Sequence, residues 1–467
     1  MASVRSYTSL IRHEGNQELF FFTELSVIGL KAGMPIHVHV EGLRGTGKTT
    51  ILRAASSFLP QSVRIKDCRF NCDPVKPHCP QHILLSKEQL DAVETEQVKI
   101  PFLEISHAAK IGTVVGTLDL KQLTNKKEPE AALLPGTLPQ AHRGIVLVDE
   151  INRLADTAPE LTDIMLDAMG TKPGRVQIEE NGLPTVSLPL QISVWATSNP
   201  DEDPGSLADI RRQLSDRFDF TVQMGRPKEV RTLLAILSPE LELAAIQKTV
   251  VEADILLGQH LAEMAEQVGR IKIPSGILES LAEVYIKHHF ESLRSLEALK
   301  TGAVLAAARR NRQQVTWDDV LSVAPAALRH RISPDELTVI LQELQREKRV
   351  TENPAWAAGS SALPEKASQS TRKSGQSKRS LSWWSRFMAW WNSLLGSRRD
   401  NRQQGTASTK DTDIQSKSAR RKLGPSTKRS NPLDMPLVTP PAVARPLLEL
   451  DISDAITVGE VDNDHKK

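Results

Sequence analysis

The chain has 467 residues, enough for two or three domains, and its 25% charged and 39% apolar residues match an ordinary soluble globular protein. No apolar run approaches the ~20 residues of a membrane-spanning helix, and the apolar stretch near the N-terminus ("ELFFF") has no small-residue cleavage site after it, so the expectation is a cytoplasmic protein without a signal peptide. The net charge of +2 conceals an asymmetry: 371–430 holds 15 Lys/Arg against 3 Asp/Glu, whereas 431–467 holds 3 against 7.

From about 35 to 225, short β-rich runs ("IHVHV", "GIVLVDE", "QISVWATS") alternate with helix-like segments such as "TTILRAASSFL" and "ELTDIMLDAMG". That alternation predicts an α/β fold, a three-layer parallel sheet with helices on both faces, over 1–226. Between the first of these strands and its helix lies "EGLRGTGKTT", the P-loop pattern. Gly42, Gly45 and Gly47 let backbone amides wrap phosphates, and Lys48 brings a point charge to the β and γ oxygens. Thr49 offers a hydroxyl to Mg²⁺, and Thr50 completes the phosphate-binding set. The cofactors predicted are therefore ATP and Mg²⁺.

All three cysteines follow within a short stretch, "DCRFNCDPVKPHCPQH" (67–82), which argues against a secreted disulfide framework. Cys68, Cys72, Cys79 and His82 admit three readings. They are a donor set for tetrahedral zinc, a group of redox thiols, or reduced thiols packed in a loop.

Further on, "GIVLVDE" is an apolar strand ending in Asp149 and Glu150. A carboxylate at the strand tip can hold the Mg²⁺ shell, and the next can polarise an attacking water. "ISVWATSNP" ends in Asn199, a neutral amide able to position that water or read the γ-phosphate. "DIRRQLSDRFDF" then supplies Arg217. It is either a guanidinium given in trans to a neighbouring subunit or a surface partner of Asp216 or Asp219. From 227 to 350 the strands stop and apolar residues recur at helical spacing, predicting a small all-α lid domain.

This order of motifs resembles the AAA+ ATPase family over about 20–345. The resemblance implies that Asn199 is sensor 1, Arg217 the arginine finger and Arg294, at the start of "SLRSLEALK", sensor 2. Within that family "FNCDP", "VVGTLDL", "PGTLPQAHRGIVLVDEINRL" and "SNPDE…RRQLSDRF" resemble the ATPase subunit of magnesium chelatase, subunit I. "GRVQIEENGLPTVSLPLQISVWATSNP" is similar to that subunit's hairpin before the sensor-1 strand. The resemblance implies a ligase-class motor that works as a homo-oligomeric ring, a hexamer. It implies two partners, an integrin-domain subunit and a porphyrin-binding subunit, and Mg²⁺ insertion into protoporphyrin IX. The resemblance is to a divergent member. Lys110-Ile111-Gly112-Thr113 replaces an acidic-Arg pair, Arg212 replaces a usual Pro, and a long tail is added.

The tail, 351–467, is too polar to bury a core and is predicted to be disordered, basic and then acidic. The exception is "LSWWSRFMAWWNSLL" (381–395), with four of the seven tryptophans on one half of a helical wheel. With basic flanks it suits a membrane surface, a groove on a partner protein, or the protein's own body. The massed aromatics argue against nucleic acid. A second functional reading is thus a MoxR-like remodelling ATPase acting on a membrane-associated client. A third is an ATP-binding scaffold anchored by the tail.

Overall fold

The computed structural model describes residues 5–118, 133–179, 185–237 and 243–352. The tail with its tryptophan segment, the tip of the hairpin before "ISVWATSNP", and most of the segment after "VVGTL" lie outside the described residues.

Among the described residues there are eleven strands. These are β1 (Val38–Glu41), β2 (Gln61–Ile65), β3 (Thr95–Lys99), β4 (Phe102–Ile105), β5 (Gly116–Leu118), β6 (Leu133–Pro135), β7 (Ile145–Val148), β8 (Gly174–Ile178), β9 (Val186–Leu190), β10 (Ser193–Ser198) and β11 (Phe220–Gln223). Five of them form one sheet in the order β11-β1-β10-β7-β4, with every neighbouring pair parallel. The three apolar runs legible in the sequence are the three inner strands, β1, β10 and β7. Buried on both faces, such strands read as near-continuous hydrophobic runs. The edge strands β4 and β11 carry no such signal.

Alternation along each strand divides the interior in two. Val38, Val40, Ile145, Leu147, Trp195, Phe220 and Val222 face one core, with α1 (Gln17–Lys31) and α2 (Lys48–Ala54). Val146, Val148, Val194 and Ala196 face a second core, with the helices Ile151–Thr157 and Pro159–Ala168. The sheet is thus the middle of three layers. The apolar N-terminal stretch is α1 itself, and Leu19, Phe20, Phe22 and Leu25 are fully buried there. Two-stranded antiparallel sheets decorate this frame: β2 with β3, β5 with β6, and β8 with β9. The last is the hairpin expected before the sensor-1 strand.

The strands end at β11, and the chain continues as helices Val230–Leu237, Leu243–Gln267, Ser275–Lys287, Leu293–Arg309, Trp317–Leu328 and Pro334–Glu352. Good caps begin two of them. Ser292 accepts the amide of Arg294, and Thr316 and Asp319 form a capping box. This helical part shares the first core with α1, β1 and β11. A Cβ at Gly302 would stand 2.6 Å from the Phe220 ring, so glycine lets this helix lie directly on β11. Buried Glu24 on α1 is clamped between Arg12 at 2.8 Å and Arg309 at 2.7 Å, tying α1 to the same helix. Among the described residues no helix is long and apolar enough to cross a membrane.

Candidate functional site

Strand β1 leads into the loop 42–47, and α2 starts at Lys48. Gly45 (φ 73°) and Gly47 (φ 88°) lie in the left-handed region that strains other residues. A Cβ at either would meet nothing within 4 Å, so the loop leaves open space on that side. Gly42 is required for another reason: a Cβ there would stand 2.8 Å from the Met224 side chain just past β11.

The Lys48 ammonium is folded back, donating to the carbonyls of Gly42 and Leu43, the latter at 2.9 Å. Burial lowers its pKa, while Asp149, Glu202 and Glu150 pull the other way. A phosphate offers these same donors a stronger acceptor than two neutral carbonyls. The Thr49 hydroxyl donates to Asp149 Oδ1 at 2.9 Å, although a hundred positions separate the two in sequence. A hydroxyl and a carboxylate oxygen, half-buried side by side, suit a hard divalent cation such as Mg²⁺. Thr50 is exposed one position further along α2.

Asp149 is the first residue past β7 and Glu150 the second. Sequence reasoning missed the residue that organises them. Thr197 Oγ1, on β10, donates to Asp149 Oδ1 and accepts the Glu150 backbone amide at 3.1 Å. Its signal was a threonine, followed at once by Ser198, near the end of an apolar strand, and both are wholly buried. Arg53 was also missed. Glu104 on β4 holds it at 3.0 Å, and its guanidinium lies 3.6 Å from Asp149. Glu150 is held in a left-handed conformation (φ 52°), and its carboxylate lies 3.3 Å from Arg153. Asn199 follows β10, with its Oδ1 buried and without a partner among the described residues. Asn152 anchors the backbone there, donating to the Asn199 carbonyl at 3.4 Å and the Gly205 carbonyl at 3.0 Å.

All of these residues sit at the carboxyl ends of parallel strands. Arg217 and Arg294 do not join them. Asp219, which precedes β11, accepts the backbone amide of His37, which precedes β1, at 2.7 Å. Arg217 and Arg294 belong to this opposite, amino end. Asp219 is taken by Lys172 at 2.8 Å, and Asp216 by Arg331 at 3.1 Å and Arg294 at 3.8 Å. Arg331 also donates to the carbonyls of Asp216 and Phe218, at 3.0 and 2.8 Å. Both carboxylates offered by the sequence as partners of Arg217 are thus engaged elsewhere. Among the described residues no carboxylate lies within 4.0 Å of Arg217. Burial, and then the neighbouring Arg294 charge, lower its pKa.

The cysteine loop is a separate constellation. Cys68, Cys72 and Cys79 are buried and free of disulfides, and His82 is half-buried beside them.

Residues 278–352 match the family model described as an AAA lid domain. The chain is 30% identical over 302 residues to the magnesium-chelatase 38 kDa subunit of Acidiphilium rubrum, covering 63% of this chain and 83% of that protein. It is 30% identical over 336 residues to the chloroplastic magnesium-chelatase subunit ChlI of Chlamydomonas reinhardtii, covering 70% of this chain and 76% of that protein. With subunit ChlI of Chlorella vulgaris the identity is 28% over 331 residues, covering 70% and 89%.

Proposed function

Because the chain belongs to the family of magnesium-chelatase ATPase subunits, we propose that it is the ATP-hydrolysing motor of a chelatase-type complex. In that role it drives Mg²⁺ insertion into protoporphyrin IX, working with an integrin-domain subunit and a porphyrin-binding subunit. The observation that carries the motor is the meeting of Thr49 with Asp149, 2.9 Å apart, at the mouth of a glycine loop with open space beside Gly45 and Gly47.

In this reading the amides of the loop and Lys48 bind the phosphates of ATP. Thr49 and Asp149 hold the Mg²⁺ that accompanies the nucleotide. That ion, when bound, neutralises charge on the β and γ oxygens. Glu150 accepts the proton of the attacking water at a carboxylate oxygen, and the unpartnered Asn199 Oδ1 orients that water. Arg217 acts on a neighbouring subunit. Strand β1 alone separates the two ends of the sheet by about 13 Å. A guanidinium at the amino end therefore faces away from its own P-loop and serves a nucleotide presented by the next copy in a ring. Arg294 contributes a second positive charge beside it.

The test is ATPase rate on the purified chain, alone and with a porphyrin-binding and an integrin-domain partner, reading Mg-porphyrin by fluorescence. Metallation is expected and should vanish with Lys48→Ala. ATP hydrolysis that never yields metallation would overturn the chelatase assignment while leaving the motor intact. Glu150→Gln should retain ATP binding and lose ~10²-fold or more in turnover.

A further inference from the structure

We propose that Cys68, Cys72, Cys79 and His82 form a structural zinc site outside the nucleotide machinery. One potential donor atom from each of the four residues lies within 4.8 Å of every other. A tetrahedral zinc with three sulfur ligands has S···S edges of about 3.8 Å, so side-chain adjustment alone closes the set. Cys79 Sγ is already 3.1 Å from His82 Nδ1, which identifies the nitrogen that would bind.

The backbone is shaped for ligation as well. Asp67 (φ 58°) and Asn71 (φ 53°) each take the left-handed conformation immediately before a cysteine. Tight turns then follow or flank the ligands: Asn71 donates to the Cys68 carbonyl at 3.2 Å, and Ile83 donates to the Cys79 carbonyl at 3.0 Å. Two backbone amides point at one sulfur. Cys72 Sγ accepts from His78 N at 3.4 Å and from Cys79 N at 3.3 Å. Amides aimed at sulfur favour a thiolate, the form in which cysteine binds metal. The donor set decides among the readings left open by the sequence. A disulfide uses two sulfurs and gives an imidazole no role, and inert packing does not call for His82 to converge on three buried thiols. Three soft sulfurs from buried cysteines and one half-buried imidazole suit zinc in a structural, four-coordinate site.

Such an ion would fasten the stretch 66–86, which holds no helix or strand, to the end of the molecule where β7 and β10 begin. Asn71 donates from its amide to the His142 carbonyl, and the His78 ring stacks on His142 at 3.7 Å. His142 in turn accepts the amide of Gln191 at 3.3 Å, next to β10. The binding step is a proton exchange: three thiols release three protons as the zinc is taken up, and no electron moves.

The full-length chain, purified from a zinc-replete culture without chelator, should carry about one zinc per chain by plasma mass spectrometry. Cys72→Ser should lower that content roughly tenfold or more. Should that variant fail to fold, two other readouts decide. Wild-type chain produced with cobalt should show thiolate-to-cobalt charge transfer and intense tetrahedral ligand-field bands, and His82→Cys should keep the metal but shift those bands. A zinc-free and cobalt-silent wild type whose three thiols react freely under native conditions would overturn the site. So would a resting-state disulfide among these cysteines. Neither outcome touches the chelatase assignment, which is read by metallation.

Discussion

At the carboxyl ends of β1, β7 and β10 the sheet presents Lys48, Thr49, Asp149, Glu150 and Asn199. At the amino ends of β1 and β11 it gathers Arg217, Arg294, Arg331 and Lys172 around Asp216 and Asp219. Each end keeps a group in reserve. The first holds an ammonium resting on two carbonyls and a buried amide oxygen with no partner. The second satisfies two carboxylates with Lys172, Arg294 and Arg331 and, among the described residues, leaves Arg217 without one. On the proposed reading these ends are two unlike halves of one site, which the ring would bring together across each subunit boundary.

The largest effect should come from separating those halves. Arg217→Ala is expected to lower ATP turnover ~10³-fold, the scale of a guanidinium that stabilises the transferred phosphoryl in trans. Because Lys48→Ala kills the other half, mixing the two inactive variants should restore part of the activity, since the mixed boundaries that set an intact P-loop against an intact Arg217 regain a complete site. Mixtures as dead as their components, at concentrations where the wild type assembles, would place Arg217 outside catalysis and break the comparison.

How far this arrangement could be read in advance differs between the two ends. The carboxyl-end residues were legible because the inner strands β1, β7 and β10 are buried on both faces and announce themselves as apolar runs, so the residues at their tips stand out. The edge strands β4 and β11 were not legible. β4 is only partly buried, and Glu104 within it faces Arg53 at the site. Arg217 was recognised by its place in the motif order, but its lack of an ion-pair partner among the described residues was not: Lys172 lies 47 residues before Asp219 and Arg331 115 residues after Asp216, and nothing local marks them as taking those carboxylates. Thr197 was passed over because a threonine is common in strands, and only the neighbouring strand reveals what its hydroxyl does.

A second way to sharpen the comparison is pH. His37 and His39 flank and enter β1, and burial pushes each down to about 3. His37 accepts the amide of Val194 at 3.1 Å and so is held neutral, near Asp219, Lys172, Arg294 and Arg217. His39 is hydrogen-bonded to Ser198 at 2.9 Å. In the unfolded chain both would titrate near 6.5, so below that pH the unfolded state binds more protons and stability falls with falling pH. Between pH 7 and pH 5 the loss should be roughly 2 kcal/mol per histidine. Urea midpoints measured across that range should drop steeply, and His39→Gln should flatten the slope by about one proton. An unchanged slope would mean that His39 is protonated in the fold or shielded from the exchange.

The smallest expected effect tests the hydroxyl that joins β10 to β7. Thr197→Val keeps the volume and removes the oxygen, leaving the Glu150 amide without its acceptor and Asp149 Oδ1 with one donor fewer. A lost buried hydrogen bond of this kind costs about 1–2 kcal/mol. If Thr197 holds Asp149 in the orientation that receives Mg²⁺, the apparent affinity for Mg²⁺ in the ATPase assay should weaken ~10-fold, with Thr197→Ser restoring it. A variant that merely melts earlier, with its Mg²⁺ dependence unmoved, would assign Thr197 to the packing of the two strands alone. The carboxyl end would then owe its geometry to Thr49 and Arg53, which also contact Asp149.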